Sequence, residues 1–160
     1  MPGVTRNDSA NAVALDDVSK QIIEQLQQDG RRSYSAIGKA VGLSEAAIRQ
    51  RVQRLTDSGV MQIVAVTDPA QVGLFRHAMI GLKVTGDVEK VADQLTTLDE
   101  VAYAVICAGS FDLICEVVVA DDEHLLEVVS KRIRAIDGIE STETLIYLKL
   151  VKQSYQWGTR

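Results

Sequence analysis

The spacing of apolar residues changes once along the chain, from a helical period to an alternating one. Before residue 60, apolar side chains recur every three or four positions in three separate runs, which predicts three amphipathic helices. The runs end at Gly30, Gly42 and Gly59, and glycine commonly terminates a helix. Ser33 and Ser44 precede the second and third runs, where their hydroxyls can cap a helix. The pattern therefore predicts a helix-turn-helix.

The third predicted helix has one apolar side and one side suited to DNA. Ile48, Val52 and Leu55 fall on a single stripe of that helix. The opposite side carries small, amide and guanidinium side chains, namely Ala46, Arg49, Gln50 and Gln53. In a major groove, arginine can pair with guanine and glutamine with adenine. Arg51 and Arg54 flank the apolar stripe, and we expect them to reach phosphates.

After residue 60 the pattern predicts strands as well as helices. Residues 60–73, "VMQIVAVTDPAQVG", are typical of a connecting strand followed by a turn at Asp68-Pro69. The six runs that follow are "HAMIGLKVTG", "DVEKVADQLTTLD", "VAYAVICAG", "DLICEVVVA", "DEHLLEVVSKRIRAIDG" and "ESTETLIYLKLVK". Their order, strand, helix, strand, strand, helix, strand, is that of a ferredoxin-like unit.

The predicted fold class is α+β, with a winged-type helix-turn-helix head joined to a C-terminal ferredoxin-like β-α-β-β-α-β domain. The predicted divisions are a flexible tail at residues 1–14, the head at 15–60, a linker strand and turn at 61–74, the ferredoxin-like domain at 75–152 and a C-terminal tail at 153–160.

Charge is distributed unevenly and favours a polyanion-binding head. Between Arg31 and Arg54 there are six basic residues and one acid, a net charge of +5, although the whole chain carries −5. From Met61 onward the chain has nine basic and fifteen acidic residues, a net charge of −6. Charge on an amphipathic helix is usually ordinary solvated surface. The local excess of arginine beside a tight glycine turn nevertheless favours DNA binding.

Several other classes of protein are disfavoured by composition. No apolar run approaches the roughly 18 residues that span a bilayer, and residues 1–14 lack the apolar centre of a signal peptide. We therefore expect a cytoplasmic protein without a membrane partner. Cys107 and Cys115 sit in apolar alternating runs, so we expect buried thiols in preference to a redox pair. His77 and His124 are far apart in sequence, and no metal site is predicted.

Three stretches resemble the leucine-responsive and AsnC regulators, also called feast/famine proteins. They are "LSEAAIRQRVQRLTDSGVMQ" in the head and "AGSFDLICEV" and "TETLIYLKLVK" in the C-terminal domain, and the likeness runs from Leu15 to Tyr155. The resemblance implies a transcription regulator that binds double-stranded DNA, is not an enzyme and needs no cofactor. It also implies a C-terminal domain that senses an amino acid or related small molecule and forms homodimers and higher homo-oligomers, with an octamer expected.

The resemblance also implies two sets of site residues. The DNA-binding set is Arg31, Arg32, Ser33, Ser44, Glu45, Ala46, Arg49, Gln50, Arg51, Gln53 and Arg54. The effector-binding set, near a junction between subunits, is Ile106, Gly109, Ser110, Phe111, Asp112, Leu145 and Tyr147.

The chemistry of the effector loop is plausible, but two readings of it stay open. Glycine lets backbone N–H groups approach a ligand carboxylate, and the Asp112 carboxylate can pair with an ammonium group. The same residues are equally typical of a plain hairpin turn, and the apolar members of the set are typical of core or interface. Ala108 stands where many relatives carry a small hydroxylated residue, which leaves the identity of the effector open.

Two other functions compete with regulation. Some proteins that resemble this family are tetrapyrrole decarboxylases, for which His77 and His124 would be the candidate residues here. An assembly module whose head does not bind DNA is the other alternative.

Overall fold

The computed structural model describes residues 14–154 and residue 159, and these form two compact units. The first contains the described chain up to Val66 together with the described residues from Lys152 onward, and the second is Thr67–Val151. The predicted N-terminal tail, except residue 14, and five of the eight residues of the predicted C-terminal tail lie outside the described residues. No described helix combines the length and the apolar character needed to cross a membrane.

The first unit is built from three helices, α1 (Asp17–Gln28), α2 (Tyr34–Val41) and α3 (Glu45–Asp57). Each helix begins at a side-chain cap. Asp16 accepts a hydrogen bond from the Ser19 N–H at 2.8 Å, and Ser33 and Ser44 accept from Ala36 and Ala47 at 3.2 Å. Such caps satisfy backbone donors that a helix N-terminus leaves unpaired. The predicted helix-turn-helix and both serine caps are confirmed.

Apolar side chains from all three helices form the core of this unit. Ile22, Ile37 and Ile48 come from α1, α2 and α3 respectively, and each is completely buried. Val52 and Leu55 extend the buried stripe of α3. The apolar stripe predicted for the third helix is therefore its core side, so the opposite side of α3 faces solvent.

A close backbone approach sets the turn between α2 and α3. The Leu43 N–H donates to the Gly38 carbonyl at 2.9 Å. A Cβ added to Gly38 would lie only 2.5 Å from the Leu43 carbonyl oxygen, well inside van der Waals contact. Gly42 ends α2 in the left-handed conformation, with φ at 76°, which glycine adopts without steric cost. Both glycines are required by this turn.

The second unit is a four-stranded antiparallel sheet with helices on one face. Its elements are β1 (Arg76–Val84), α4 (Val88–Leu95), β2 (Val101–Ile106), β3 (Leu113–Val119), α5 (Asp122–Glu127), a π-helical segment (Val128–Ile133) and β4 (Ile139–Ile146). The strand order is β2-β3-β1-β4. Both the order of elements and the antiparallel sheet confirm the predicted ferredoxin-like domain.

The core of this unit lies between the sheet and its helices. Alternate residues of β1 and β3, such as Ile80, Leu82 and Leu113, are fully buried against α4, α5 and the π-helical segment. Cys115 belongs to the same core, and burial raises the pKa of its thiol to about 11. The other face of the sheet, here called the open face, has no helix over it among the described residues. Its apolar side chains include Tyr103 and Leu145, each about half exposed.

Two predicted strand segments are wrong. Residues 61–68 have no regular structure, although a linker strand was predicted there, and the described part of the first unit has no strand that could form a wing. A strand needs a neighbour for its backbone hydrogen bonds, and residues 61–68 have none within the described chain. The last strand ends at Ile146, opposite Ala78, instead of continuing to Lys152, although the Tyr147 N–H still donates to the His77 carbonyl.

The last predicted helix, residues 122–138, is present but ends five residues early and is not α-helical throughout. After Glu127 the helix widens into π geometry and ends at Ile133, with the Arg134 N–H donating to the Val129 carbonyl at 3.1 Å. The wider turn places residues five apart on one side. Val128 and Ile133 are consequently both fully buried against the sheet.

We expect Gly38→Ala to lower the free energy of unfolding by about 1–3 kcal/mol, because the added methyl forces the α2 backbone away from Leu43. Urea unfolding followed by circular dichroism measures this. Gly30→Ala is the matched control, since its added Cβ would meet nothing closer than 3.8 Å. Equal effects of the two substitutions would show that the close approach does not matter for stability.

Candidate functional site

The outer side of α3 forms a continuous shallow surface. Its lining residues are Ala46, Arg49, Gln50, Gln53, Arg54 and Asp57. Five of the six residues of this helix that were predicted to face a groove or its phosphates therefore lie together, all except Arg51, and they lie opposite the buried stripe of the helix. The surface offers amide and guanidinium donors over about two helical turns, which suits the edges of bases in a major groove.

Arg49 is held in place by two neighbours. Its guanidinium carbon lies 5.4 Å from the centre of the Tyr34 ring, within the range of a cation–π contact. Its Nη2 atom donates to Glu45 Oε1 at 3.1 Å, one helical turn earlier. Tyr34 is the first residue of α2 and Glu45 is the first residue of α3. Neither contact was predicted. The four-residue spacing of Glu45 and Arg49 on the predicted helix could have indicated their pairing. The sequence does not show that Tyr34 lies beside the third helix.

A second group of predicted residues surrounds the start of α2. Arg31, Arg32 and Ser33 line one hollow together with Glu45 and Arg49. The Ser33 and Ser44 oxygens each accept one cap hydrogen bond, and their hydroxyl hydrogens remain available to donate to a phosphate. Three guanidinium groups at one helix N-terminus provide an environment that favours a phosphate.

Arg51 does not belong to this surface, which corrects its assignment as a phosphate contact. Its Nη1 atom donates to Asp16 Oδ2 at 2.7 Å and to Ser19 Oγ at 3.3 Å. The side chain is only 27% exposed, whereas that of Arg49 is 66% exposed. Hydrogen bonds from Ser19 and Arg51 lower the pKa of the Asp16 carboxyl well below its usual range. Arg51 thus ties α3 to the start of α1.

Arg54 and Gln53 are exposed on the outer side of α3. Gln53 Nε2 donates to Asp57 Oδ1 at 2.7 Å. Arg54 makes no salt bridge with any residue in the described ranges 14–154 and 159. Its guanidinium is therefore available to a partner, as a phosphate contact requires.

In the second unit, Asp112 has a structural role at the end of β1. Its Oδ2 atom accepts the Val84 N–H at 2.9 Å and lies 3.9 Å from the Lys83 ammonium. The pairing of β1 with β4 is irregular between Lys83 and Val84, and the carboxylate satisfies the amide at this point. No protein donor to Oδ1 is seen among the described residues. One carboxylate oxygen thus holds the turn, and the other faces outward.

The rest of the loop between β2 and β3 divides into a packed part and an open part. The Phe111 ring covers Gly81 of β1, so closely that a Cβ at Gly81 would lie 2.6 Å from it. Gly109 and Ser110 are exposed, and the space in front of Gly109 is open. Only the open part presents free backbone to a ligand.

The structure separates Leu145 and Tyr147 from this loop. Leu145 pairs with Met79, and the Tyr147 N–H donates to the His77 carbonyl at 2.9 Å, whereas the Asp112 N–H donates to Leu82. His77 and Leu82 are five residues apart, about 17 Å along an extended strand. Tyr147 is therefore far from the point where the loop joins β1, whereas Leu145, opposite Met79, is only about 10 Å from Leu82 along the strand.

Ile106 lies beside the loop but on the other face of the sheet. Its register partner is Leu113, whose side chain is buried under the helices, while Phe111 covers the open face. Ile106 is nevertheless 47% exposed, because it is at the end of β2. It can flank the loop but does not line the open face with Leu145 and Tyr147.

The two histidines acquire partners that the sequence did not reveal. His124 Nε2 lies 3.2 Å from Glu100 Oε1, which also accepts from Arg132. Burial alone would raise the pKa of the Glu100 carboxyl. Hydrogen bonds from its own backbone N–H, His124 and Arg132 outweigh this effect, so the pKa lies below its usual value. His77 lies against the Tyr147 ring, with ring centres 6.2 Å apart. Burial and the nearby Glu116 carboxylate raise the pKa of Tyr147.

A helix-turn-helix unit with a guanidinium-rich outer face and a separate ferredoxin-like unit define a two-domain DNA-binding regulator. The family model described as AsnC-type helix-turn-helix domain matches residues 15–56, and the Lrp/AsnC ligand binding domain matches residues 77–157. The chain belongs to the Lrp/AsnC family of transcription regulators, whose members combine DNA binding with a ligand-binding domain.

Individual relatives agree with this assignment. An HTH-type transcriptional regulator of Pyrococcus furiosus is 35% identical over 143 residues, which is 88% of this chain and 97% of the relative. The structure of Escherichia coli AsnC is 28% identical, with a TM-score of 0.78 over 88% of this chain and 96% of that one. A Neisseria meningitidis transcriptional regulator, crystallised with L-Met, has a TM-score of 0.78 at 23% identity over 89% and 95% of the two chains.

Arg51→Met and Arg54→Met are expected to separate stability from DNA binding. Arg54→Met should reduce the salt dependence of DNA affinity by about one ion without changing stability, because the side chain is exposed and has no salt bridge within residues 14–154. Arg51→Met lowers the unfolding midpoint and leaves the salt slope unchanged, since its charge is already paired with Asp16.

The stabilisation by the Asp16 pair also depends on pH. The pKa of Asp16 is depressed in the folded state, so the pair contributes fully above the ordinary carboxyl pKa and is lost as pH falls through the folded value. Arg51→Met should therefore shrink the acid-induced loss of stability. Urea midpoints at several pH values, together with fluorescence anisotropy across salt concentrations, measure both effects. A smaller salt slope in Arg51→Met would contradict the assignment.

Proposed function

We propose that the protein reads specific base pairs through the outer side of α3, with phosphate contacts from Arg54 and from Arg31 and Arg32. The single observation that supports this most is that Ala46, Arg49, Gln50, Gln53 and Arg54 share one exposed face while the opposite face is buried. Arg49 is the base-reading arginine in this proposal, because its side chain has a defined direction. We also infer a cytoplasmic location, because relatives of this chain are transcription regulators of prokaryotes, whose DNA lies in the cytoplasm.

Arg49→Ala tests this proposal. We expect a loss of about 1–3 kcal/mol in binding to the preferred duplex, together with relaxed preference at one guanine, because a bidentate base contact is removed. A duplex selected from a random library by the unaltered protein serves as probe, and affinity is measured by fluorescence anisotropy. Lys39→Ala is the control, since this exposed basic residue lies in α2 outside both surfaces. Full affinity and unchanged preference in Arg49→Ala would reject the reading role.

We further propose that an amino acid or a related small molecule binds at the loop Gly109–Asp112 and modulates regulation. The exposed amides of Gly109 and Ser110 suit a carboxylate, and the outward oxygen of Asp112 suits an ammonium group. The Neisseria relative bound to L-Met makes an amino acid a reasonable ligand class for this fold.

In this proposal, the effector site is complete only where two copies of the chain pack together. Tyr147 is about 17 Å along β1 from the loop of its own chain, and both Tyr147 and Leu145 belong to the open face of the sheet. A second copy can bring its β4 residues to the loop of the first. The half-exposed Tyr103 and Leu145 on this face support assembly through the sheet, as a homodimer and then as a higher oligomer such as an octamer.

Neither competing function is favoured. His77 and His124 lie on different elements, each with its own partners, and do not converge on one site. A head that has lost DNA binding does not explain the shared exposed face of α3. We infer regulation and not catalysis.

Asp112→Asn is expected to weaken effector binding by about 10–100-fold, in line with the loss of a charge-assisted hydrogen bond. The asparagine oxygen can still accept the Val84 N–H, so the turn should persist. DNA binding without effector should remain unchanged, because the head is a separate unit. Isothermal titration with the twenty amino acids measures binding, and Asp93→Asn, an exposed acid on α4, is the control.

Mixing two defective chains tests the sharing of the site. Asp112→Asn and Tyr147→Ala chains, refolded together at equal amounts, should regain about one quarter of the tight sites, because each site takes one element from each copy. If the mixture regains no tight sites, the loop and the β4 residues of one site come from the same chain. If Asp112→Asn alone binds the ligand as tightly as the unaltered protein, the ligand binds elsewhere.

A further inference from the structure

The two exposed arginines on the outer side of α3 differ in what holds them. Arg49 and Arg54 are less than two helical turns apart on the same surface. Arg49 contacts Tyr34 at 5.4 Å and Glu45 at 3.1 Å, while Arg54 has no salt bridge within the described residues. The same side-chain type therefore occurs once with a defined direction and once without.

The contacts to Arg49 come from two helices. Tyr34 is partly buried and packs against the core of the first unit, so its ring is a fixed support. Glu45 is on the first turn of α3, one turn before Arg49, and aligns the guanidinium along the helix. A flexible arginine loses conformational freedom when it pairs with a base, and a side chain already held in place loses less.

Glu45 also changes how Arg49 responds to the DNA backbone. Its carboxylate partly neutralises the guanidinium and repels phosphates, which lowers the gain from contacts that carry no sequence information. A guanidinium has five N–H donors, and only Nη2 is engaged by Glu45. Other donors remain for the two acceptors that guanine presents in the major groove.

We propose that Tyr34 and Glu45 are positioning residues that set the base discrimination of Arg49, Tyr34 by supporting the guanidinium and Glu45 by aligning it and suppressing non-specific binding. This inference rests on the proposed role of α3 in reading DNA. It makes Tyr34, which lies outside the predicted reading surface, a determinant of specificity.

The experiment compares three variants of the full chain with the unaltered protein. The probes are a duplex selected from a random library by the unaltered protein, the same duplex with each guanine replaced in turn, and a scrambled duplex. Tyr34→Leu should lose about tenfold or more in discrimination at one guanine while binding the scrambled duplex as before. Tyr34→Phe keeps the aromatic ring and should behave like the unaltered protein.

Glu45→Gln gives an independent readout on an exposed residue. It should bind the scrambled duplex more tightly, with a salt slope larger by about one ion, and discriminate less at the same guanine. The effect of Tyr34→Leu should also disappear in an Arg49→Ala background, because the ring then has nothing to position. Thermal unfolding of each variant shows whether a loss of binding is a loss of folding.

The outcomes separate the two levels of the proposal. If the unaltered protein enriches no sequence from the library, the reading of DNA by α3 itself is wrong. If a sequence is enriched, but Tyr34→Leu weakens binding to the selected and the scrambled duplex equally, then Tyr34 is only a packing residue. The same conclusion follows if the effect of Tyr34→Leu adds fully to that of Arg49→Ala. An unchanged salt slope and unchanged discrimination in Glu45→Gln would overturn the role of Glu45.

Discussion

The contact between the backbone of α2 and the chain that enters α3 sets the geometry of the head. Because Gly38 has no side chain, the Leu43 carbonyl can approach to a distance that any Cβ would prevent. This approach brings the first residue of α2 close to the first turn of α3. Tyr34 thus lies under Arg49, and Ile37 and Ile48 meet in the core. The direction of an exposed guanidinium therefore depends on a buried glycine.

The sequence was sufficient to predict the features that depend on local periodicity and capping. The three head helices, the caps Ser33 and Ser44 and the order of the ferredoxin-like elements follow from patterns within about fifteen residues. The linker strand and the far end of β4 could not be predicted, because an alternating pattern does not show whether a partner strand is present. Residues 61–68 alternate as a strand would, and nothing in the described chain pairs with them.

The site residues were predictable as a surface but not as individual roles. Helical spacing places Arg49 and Arg54 together, yet it cannot show that Arg51 reaches Asp16, thirty-five positions earlier. The same limit applies to the second unit. The loop residues and the β4 residues were predicted as one set, but the strand register places Tyr147 about 17 Å along β1 from the contact between the loop and Leu82. Pairing across a sheet is a long-range property, and a short motif does not contain it.

The three arginines of α3 show how one side chain acquires three roles from its neighbours. Arg51 faces α1 and is paired with a carboxylate of lowered pKa, so its charge contributes to folding. Arg54 is exposed and has no salt bridge within the described part of the chain, so its charge is available to a phosphate. Arg49 lies between these extremes, because its partners direct the guanidinium without removing it from solvent. Recognition of a base edge requires a guanidinium with a defined direction, whereas binding to a phosphate depends mainly on its charge. The neighbours of each arginine therefore decide whether it supports folding, affinity or specificity. Its position on the helical face alone does not.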